Sequence, residues 1–190
     1  DELIKSFEFL PMQTQHLSEQ ELLRREKLAE LIKMGIDPYP APLYPVNSNS
    51  AYIKENFSKE NLPDGQAGKT EFADVCLAGR VMSVRDMGKA NFAVIQDSHG
   101  RIQLYIRRDD ICPGEDKSLY DIVWKKLIDI GDIIGIKGFV FVTKTGEISV
   151  HVKELNLLTQ SLRPLPVVKE AEGQTFDAVT DPEFKYRQRY

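Results

Sequence analysis

The chain has 190 residues, 42% of them hydrophobic and 28% charged, enough for one good core with appendages or two small domains of an ordinary globular protein. No apolar run approaches the roughly 20 residues of a membrane span and no charged-then-apolar leader is seen, so a soluble, cytoplasmic protein with no membrane partner is expected. The formal net charge of −4 excludes a protein that grips nucleic acid by bulk charge alone.

Residues 1–16 carry no clear periodicity and read as an extension, with Met12 a candidate natural start. Residues 17–72 read as helices and a proline-rich connector. Ser18-Glu19-Gln20-Glu21 is a capping box, in which the serine hydroxyl accepts from the Glu21 amide and the Glu21 carboxylate reaches back. Leu17 and Leu22 stand at staple positions, and Leu28, Leu31 and Ile32 continue an apolar stripe. Gly35 is expected as a left-handed C-cap, and Pro38 blocks resumption. The polar side carries Arg24, Arg25, Lys27 and Lys33. Its plain reading is a solvated face; its sharper one is a rim that contacts phosphate.

Four prolines in IDPYPAPLYP make an extended connector, pinned by Tyr39 and Tyr44. A second short helix is expected from Ala51 to Phe57, with Ile53 and Phe57 at i,i+4. The loop that follows contains Gly65-Gln66-Ala67-Gly68-Lys69-Thr70. It is two residues short of a phosphate-binding loop and precedes a strand where that motif needs a helix, so we reject the comparison.

Residues 73–160 are organised differently. Five β-rich runs are separated by Met-Gly-Lys, His-Gly and Thr-Gly turns, with one amphipathic segment, SLYDIVWKKL, between the third and fourth. The order strand, strand, strand, helix, strand, strand is that of an OB-fold, a five-stranded Greek-key barrel that often binds single-stranded nucleic acid on its second and third strands. The expected class is mainly β with flanking helices. An SH3-like barrel is the competitor, but it usually lacks the helix. Between Val75 and Leu157, 12 Lys and Arg face 11 Asp and Glu, so any nucleic acid must be held by local cations and base contacts.

Period-two reading assigns faces. Ile102, Leu104 and Ile106 point inward, leaving Gln103, Tyr105 and Arg107 outside. Ile148, Val150 and Val152 point inward, leaving Glu147, Ser149 and His151 outside. In NFAVIQD, Phe92 and Val94 compete with Ala93 and Ile95 for the core. Ser118 is expected to cap a helix whose Leu119, Tyr120, Val123, Trp124 and Leu127 plug the barrel, with Trp124 a core ring rather than a base platform. Cys76 and Cys112 belong to no Cys-x-x-Cys pair and read as plain thiols of a reducing compartment, while His16, His99 and His151 lack metal-ligand spacing, so no metal site is expected.

The segments REKLAELIKMGIDPYP, AGRVMSVRDMGKANFAVIQDSHGRIQLYI, IGDIIGIKG, TKTGEISVHVKEL, LRPLP and DPEFKYRQRY run in an order that resembles the bacterial-type class II lysyl-tRNA synthetases. The resemblance covers nearly the whole chain after Leu17. Aspartyl and asparaginyl enzymes are similar in the barrel, but the Met-Gly-Lys turn, LRPLP and YRQRY together favour the lysine enzyme. The resemblance implies the anticodon-binding region of a lysine-tRNA ligase, with residues 161–190 a linker into a catalytic domain absent from this chain.

No catalytic residue and no cofactor are then expected here; ATP and Mg, and a homodimer, belong to the full-length enzyme. The implied partner is the anticodon loop of tRNA(Lys), rich in uridine. By resemblance Phe92 stacks on the central uridine, Arg85 lies alongside, Gln103 reads a base edge and Glu147 meets a neighbouring uridine. Arg24, Arg25, Lys89, Arg107, Lys125, Lys126 and Lys144 are candidate phosphate contacts, and Asp86 is expected to weaken the one at Arg85. The competing readings are a stand-alone OB module that binds single strands without base preference, and a protein-interaction OB domain.

Overall fold

The alternating strands close on themselves. In the computed structural model, residues 17–57, 70–164, 169–171 and 174–176 are described. The extension before Leu17, the glycine-containing loop up to Lys69 and the aromatic, basic tail from 177 onward lie outside them. Strands β1 (Val75–Asp86), β2 (Ala90–Gln96), β3 (Arg101–Arg107), β4 (Ile133–Val142) and β5 (Ile148–Thr159) form a closed barrel in the order β1-β2-β3-β5-β4. All pairs are antiparallel except β3 with β5. This is the OB-fold expected from the order of the runs.

The turns follow from their residues. Gly88 sits at φ 85 and Gly146 at φ 89, in the left-handed region where a side chain is strained. The Asp86 carboxylate accepts from the Gly88 amide at 2.7 Å, closing the β1–β2 turn. Inside the barrel, Leu104, Ile106, Ile134, Ile136, Val140, Val150 and Val152 have no exposed surface. Phe92 and Val94 lose the competition for this core: Ala93 and Ile95 are buried while Phe92 and Val94 are half-exposed on the outer face.

Between β3 and β4 lie a short turn of helix, α4 (Arg108–Ile111), absent from the sequence expectation, and α5 (Leu119–Leu127), wound as a π-helix. Tyr120, Val123, Trp124 and Leu127 of α5 are buried, so Trp124 is a core ring as read from the stripe. Ser118 does not cap it. Its own backbone is helical and its amide donates to Asp116 Oδ1 at 2.8 Å, so the preceding aspartate orders the entry.

Helix α1 (Glu19–Lys33) begins with the capping box: Glu21 N donates to Ser18 Oγ at 3.3 Å and Ser18 N to Glu21 Oε2 at 2.9 Å. Its expected apolar stripe does not form a core face. Leu31 is fully buried, but Leu22 is 40% and Ile32 55% exposed. The helix is seated instead by Arg24, whose guanidinium donates to Ser161 O at 2.6 Å and Ile130 O at 2.8 Å and lies 3.8 Å from the buried Asp132. Lys27 pairs with Asp129 at 2.6 Å. Both readings of this basic face therefore fail for Arg24 and Lys27, which bind the helix to the barrel.

Helix α2 (Ser50–Asn56) starts one residue earlier than expected, with Asn49 as its cap, and buries Ile53 and Phe57. A further helical turn, α3 (Thr70–Ala73), leads into β1. In the connector, Tyr39 donates to Gln160 O at 3.0 Å. The Tyr44 ring lies so close over Gly135 that a Cβ there would stand 2.5 Å from it. Beyond the barrel, where the strand pattern was read as ending, Lys169–Ala171 (β6) and Gln174–Phe176 (β7) pair antiparallel.

Candidate nucleic-acid interface

Cross-strand register decides which outward side chains meet. Arg85 on β1 stands opposite Phe92 on β2, Phe92 opposite Tyr105 on β3, Tyr105 opposite His151 on β5, and His151 opposite Phe139 on β4. One row thus crosses all five strands. Its rings touch in sequence: Phe92 to Tyr105 at 5.1 Å between centroids, Tyr105 to His151 at 5.1 Å and edge-on at 90°, His151 to Phe139 at 4.7 Å. Such pairs stabilise a sheet modestly, and these half-buried rings also offer apolar faces to a flat ligand.

A second row lies beside the first. Gln103, two residues before Tyr105 on the same face, stands opposite Ser149. Its Nε2 donates to Ser149 Oγ at 3.0 Å, and Ser149 Oγ lies 3.4 Å from Glu147 O. Ser149, expected outside by alternation, is on the outward face yet has no exposed surface. That bond uses one N–H of the Gln103 amide and leaves its Oε1 and second N–H for a further partner. Glu147 itself is exposed at the mouth of the β4–β5 turn, beside Lys144; the turn is closed by Thr143 N donating to Glu147 O at 2.9 Å.

The β1–β2 turn is held from below. The Tyr120 hydroxyl lies 3.0 Å from Gly88 O and also contacts Asn91 Oδ1, while Lys125 pairs with Asp86 at 3.3 Å. Burial, with the Asp86 charge behind it, pushes the Tyr120 phenol up to about 12, so it stays a donor. The Gly88 amide above all, then Lys125, hold the Asp86 carboxyl below its ordinary value against the opposing effect of burial. Asp86 therefore engages Lys125 rather than Arg85, and Arg85 is left exposed opposite Phe92.

The four residues expected to read bases, Arg85, Phe92, Gln103 and Glu147, thus lie along one continuous stretch of the outer face. Of the seven cations, Lys89, Arg107, Lys126 and Lys144 are exposed. Lys125 is engaged by Asp86, and Arg25 is half-buried on α1 with its Nε shielded. Arg24 stands apart: 7% exposed and bonded to two carbonyls, it is held in the seat of α1 rather than presented on the outer face. Sequence reading put Tyr105 and His151 outward but could not join them to Phe92 or Phe139, because register is not written in alternation. Among the described residues no group of three or more His, Cys, Asp or Glu is placed to hold a metal ion.

Residues 75–158, the span of the barrel, match the family model of an OB-fold nucleic acid binding domain. The similarity extends beyond it. The chain is 58% identical over 175 residues to the lysine–tRNA ligase of Porphyromonas gingivalis, covering 92% of this chain and 29% of that protein. It is 56% identical to the lysine–tRNA ligase of Azobacteroides pseudotrichonymphae, covering 92% and 33%, and 54% identical to that of Christiangramia forsetii, covering 93% and 29%. Over nearly all of its length the chain is a relative of the lysine–tRNA ligases, and it spans about three-tenths of the length of those relatives.

Proposed function

We propose that this chain is the anticodon-binding part of a lysine–tRNA ligase and that its outer face reads the uridines of the tRNA(Lys) anticodon. The observation that carries the reading is the outward Phe92, opposite Arg85 and Tyr105 and one pair along from Gln103, in a chain 58% identical over 175 residues to such an enzyme. A half-exposed ring is a platform for an unstacked base, worth about 1–3 kcal/mol per base, and single-stranded loops expose the edges that side chains read. Uridine presents N3–H between two carbonyls. Gln103 Oε1 accepts from that N3–H while its free N–H donates to a carbonyl, a pattern cytidine reverses. Glu147 accepts from the N3–H of a neighbouring uridine. Arg85 and the exposed Lys89, Arg107, Lys126 and Lys144 supply local attraction for the backbone.

The whole enzyme joins lysine to tRNA with ATP and magnesium, as a cytoplasmic homodimer. This part selects the tRNA. The test is a fluorescence titration with a lysine anticodon stem-loop and with its central U changed to C, at one fixed salt concentration. The U loop is expected to bind roughly tenfold tighter, from the one or two base-edge hydrogen bonds that C cannot make, and Phe92→Ala to erase most of the affinity through lost stacking. Equal binding of both loops favours a general single-strand binder; no binding of either favours a protein-interaction domain.

A further inference from the structure

The residues assigned to the triplet use only part of the aromatic row. Phe92 and Gln103 lie on β2 and β3 and Glu147 in the β4–β5 turn, whereas His151, Phe139 and Phe141 continue the surface across β5 and β4. Phe139 and His151 are 4.7 Å apart and tilted by 32°, and Phe141 closes on both at 6.4 and 5.8 Å. With strands spaced by roughly 4.8 Å, Phe139 stands roughly 14 Å from Phe92 along the row, beyond the reach of one base.

The end of the row is also charged. Lys153, two residues past His151 on the same face, holds its Nζ 5.7 Å from the centre of the Phe139 ring, with 48% of its side chain exposed. Asp110 of α4 fixes this corner, at 2.6 Å from His151 Nε2 and 3.4 Å from Lys153 Nζ. Exposed Arg107 stands at the equivalent place on β3, two residues past Tyr105.

From this continuity, and resting on the anticodon reading above, we propose that Phe139, His151 and Lys153 form a further nucleotide subsite, which stacks a loop base outside the triplet and neutralises its phosphate. The two neighbouring rings offer a surface wider than one six-membered ring, which fits a purine. Lys153, held beside but not over the whole of this surface by Asp110, is the phosphate partner.

The experiment is a double-mutant cycle in protein and RNA. Wild-type chain and Phe139→Leu, which keeps an apolar side chain, are titrated with the intact lysine stem-loop and with loops abasic at the nucleotide just 5′ or just 3′ of the triplet. An abasic site on one side is expected to weaken the wild type about tenfold. Phe139→Leu should weaken the intact loop by a similar factor and lose nothing more on that abasic loop. Equal losses on all loops, or no loss, would mean that the rings serve only sheet packing and overturn the subsite.

Lys153→Gln, an exposed change that leaves the rings in place, should lower the slope of log affinity against log salt by about one. An unchanged slope removes Lys153 from the site. The anticodon reading fails separately: in that case the wild type does not distinguish U from C, whereas failure of the subsite alone leaves that discrimination intact.

Discussion

Ser149 is fully buried on the outward side of β5, and the proposed reading of a base edge by Gln103 depends on how it holds that amide. Its hydroxyl relays from Gln103 Nε2 to the Glu147 carbonyl, so it orients an amide that would otherwise present either end to a base. Ser149→Ala is expected to reduce the preference for U over C by roughly fivefold, equivalent to one neutral hydrogen bond of about 1 kcal/mol, with a smaller change in total affinity. An unchanged ratio of dissociation constants would show that Gln103 is oriented by something else. At this scale the sequence was half legible. Alternation put Gln103 and Ser149 on one face, but the unbroken apolar run Phe92-Ala93-Val94-Ile95 left the side of Phe92 undecided. The burial of Ser149 comes from strands that approach only in the closed barrel. Arg24 was illegible for a related reason: its partners Ile130, Asp132 and Ser161 are more than a hundred residues away along the chain.

The elements were largely written in local chemistry. The capping box, Gly35, and the Met-Gly-Lys and Thr-Gly turns each specify a backbone geometry that the structure adopts. Helix α5 was found by its stripe, but its π winding and the failure of Ser118 to cap it were not, since neither is written in the apolar spacing. The β2–β3 turn is tied to α2 by Asp97, which accepts from Ser50 N and Oγ at 2.7 Å each and from the amides of His99 and Gly100 at 2.8 Å each. Burial, the largest single influence, pushes the Asp97 carboxyl up, but these bonds together hold it below its ordinary value of 3.8. Because its folded value is depressed, its contribution to stability is present above the unfolded pKa of about 3.9 and is lost as pH falls through the lower folded value. Asp97→Asn should lower stability at pH 7 by about 2 kcal/mol and shrink the gap from wild type as pH drops below about 4. Chemical denaturation at pH 7 and pH 3 reads both. A gap that stays constant with pH would mean that the carboxylate charge is not what ties the turn.

Across the whole molecule, one polar hub joins the path into the barrel to the path out. Arg24 of α1 meets Ile130 and Asp132 before β4 and Ser161 after β5, while Gln160 donates to Arg24 O at 3.3 Å and Ser161 N to Asp132 Oδ1 at 2.7 Å. Burial raises the Asp132 carboxyl, and Arg24 is its cationic neighbour. Removing one partner of a buried pair commonly costs about 3–5 kcal/mol. Arg24→Met should cost about 3 kcal/mol in equilibrium unfolding, without the loss of salt sensitivity in RNA binding that a phosphate contact would show. A near-neutral unfolding effect with weaker RNA binding would return Arg24 to the phosphate-binding set. The nearly balanced charge of 12 basic and 11 acidic residues between Val75 and Leu157 leaves little bulk attraction for a nucleic acid, so the proposed recognition rests on shape and base contacts.

The most direct test of the central claim, that the outer face of β1, β2, β3 and β5 receives the anticodon, is amide shift mapping of the isotopically labelled chain during titration with the lysine stem-loop. The account predicts the largest changes at Arg85, Phe92, Gln103, Tyr105, Glu147 and Ser149, with Leu31 and the rest of the buried side of α1 unmoved. Changes concentrated on α1 and the proline-rich connector, with the Phe92 row silent, would contradict it.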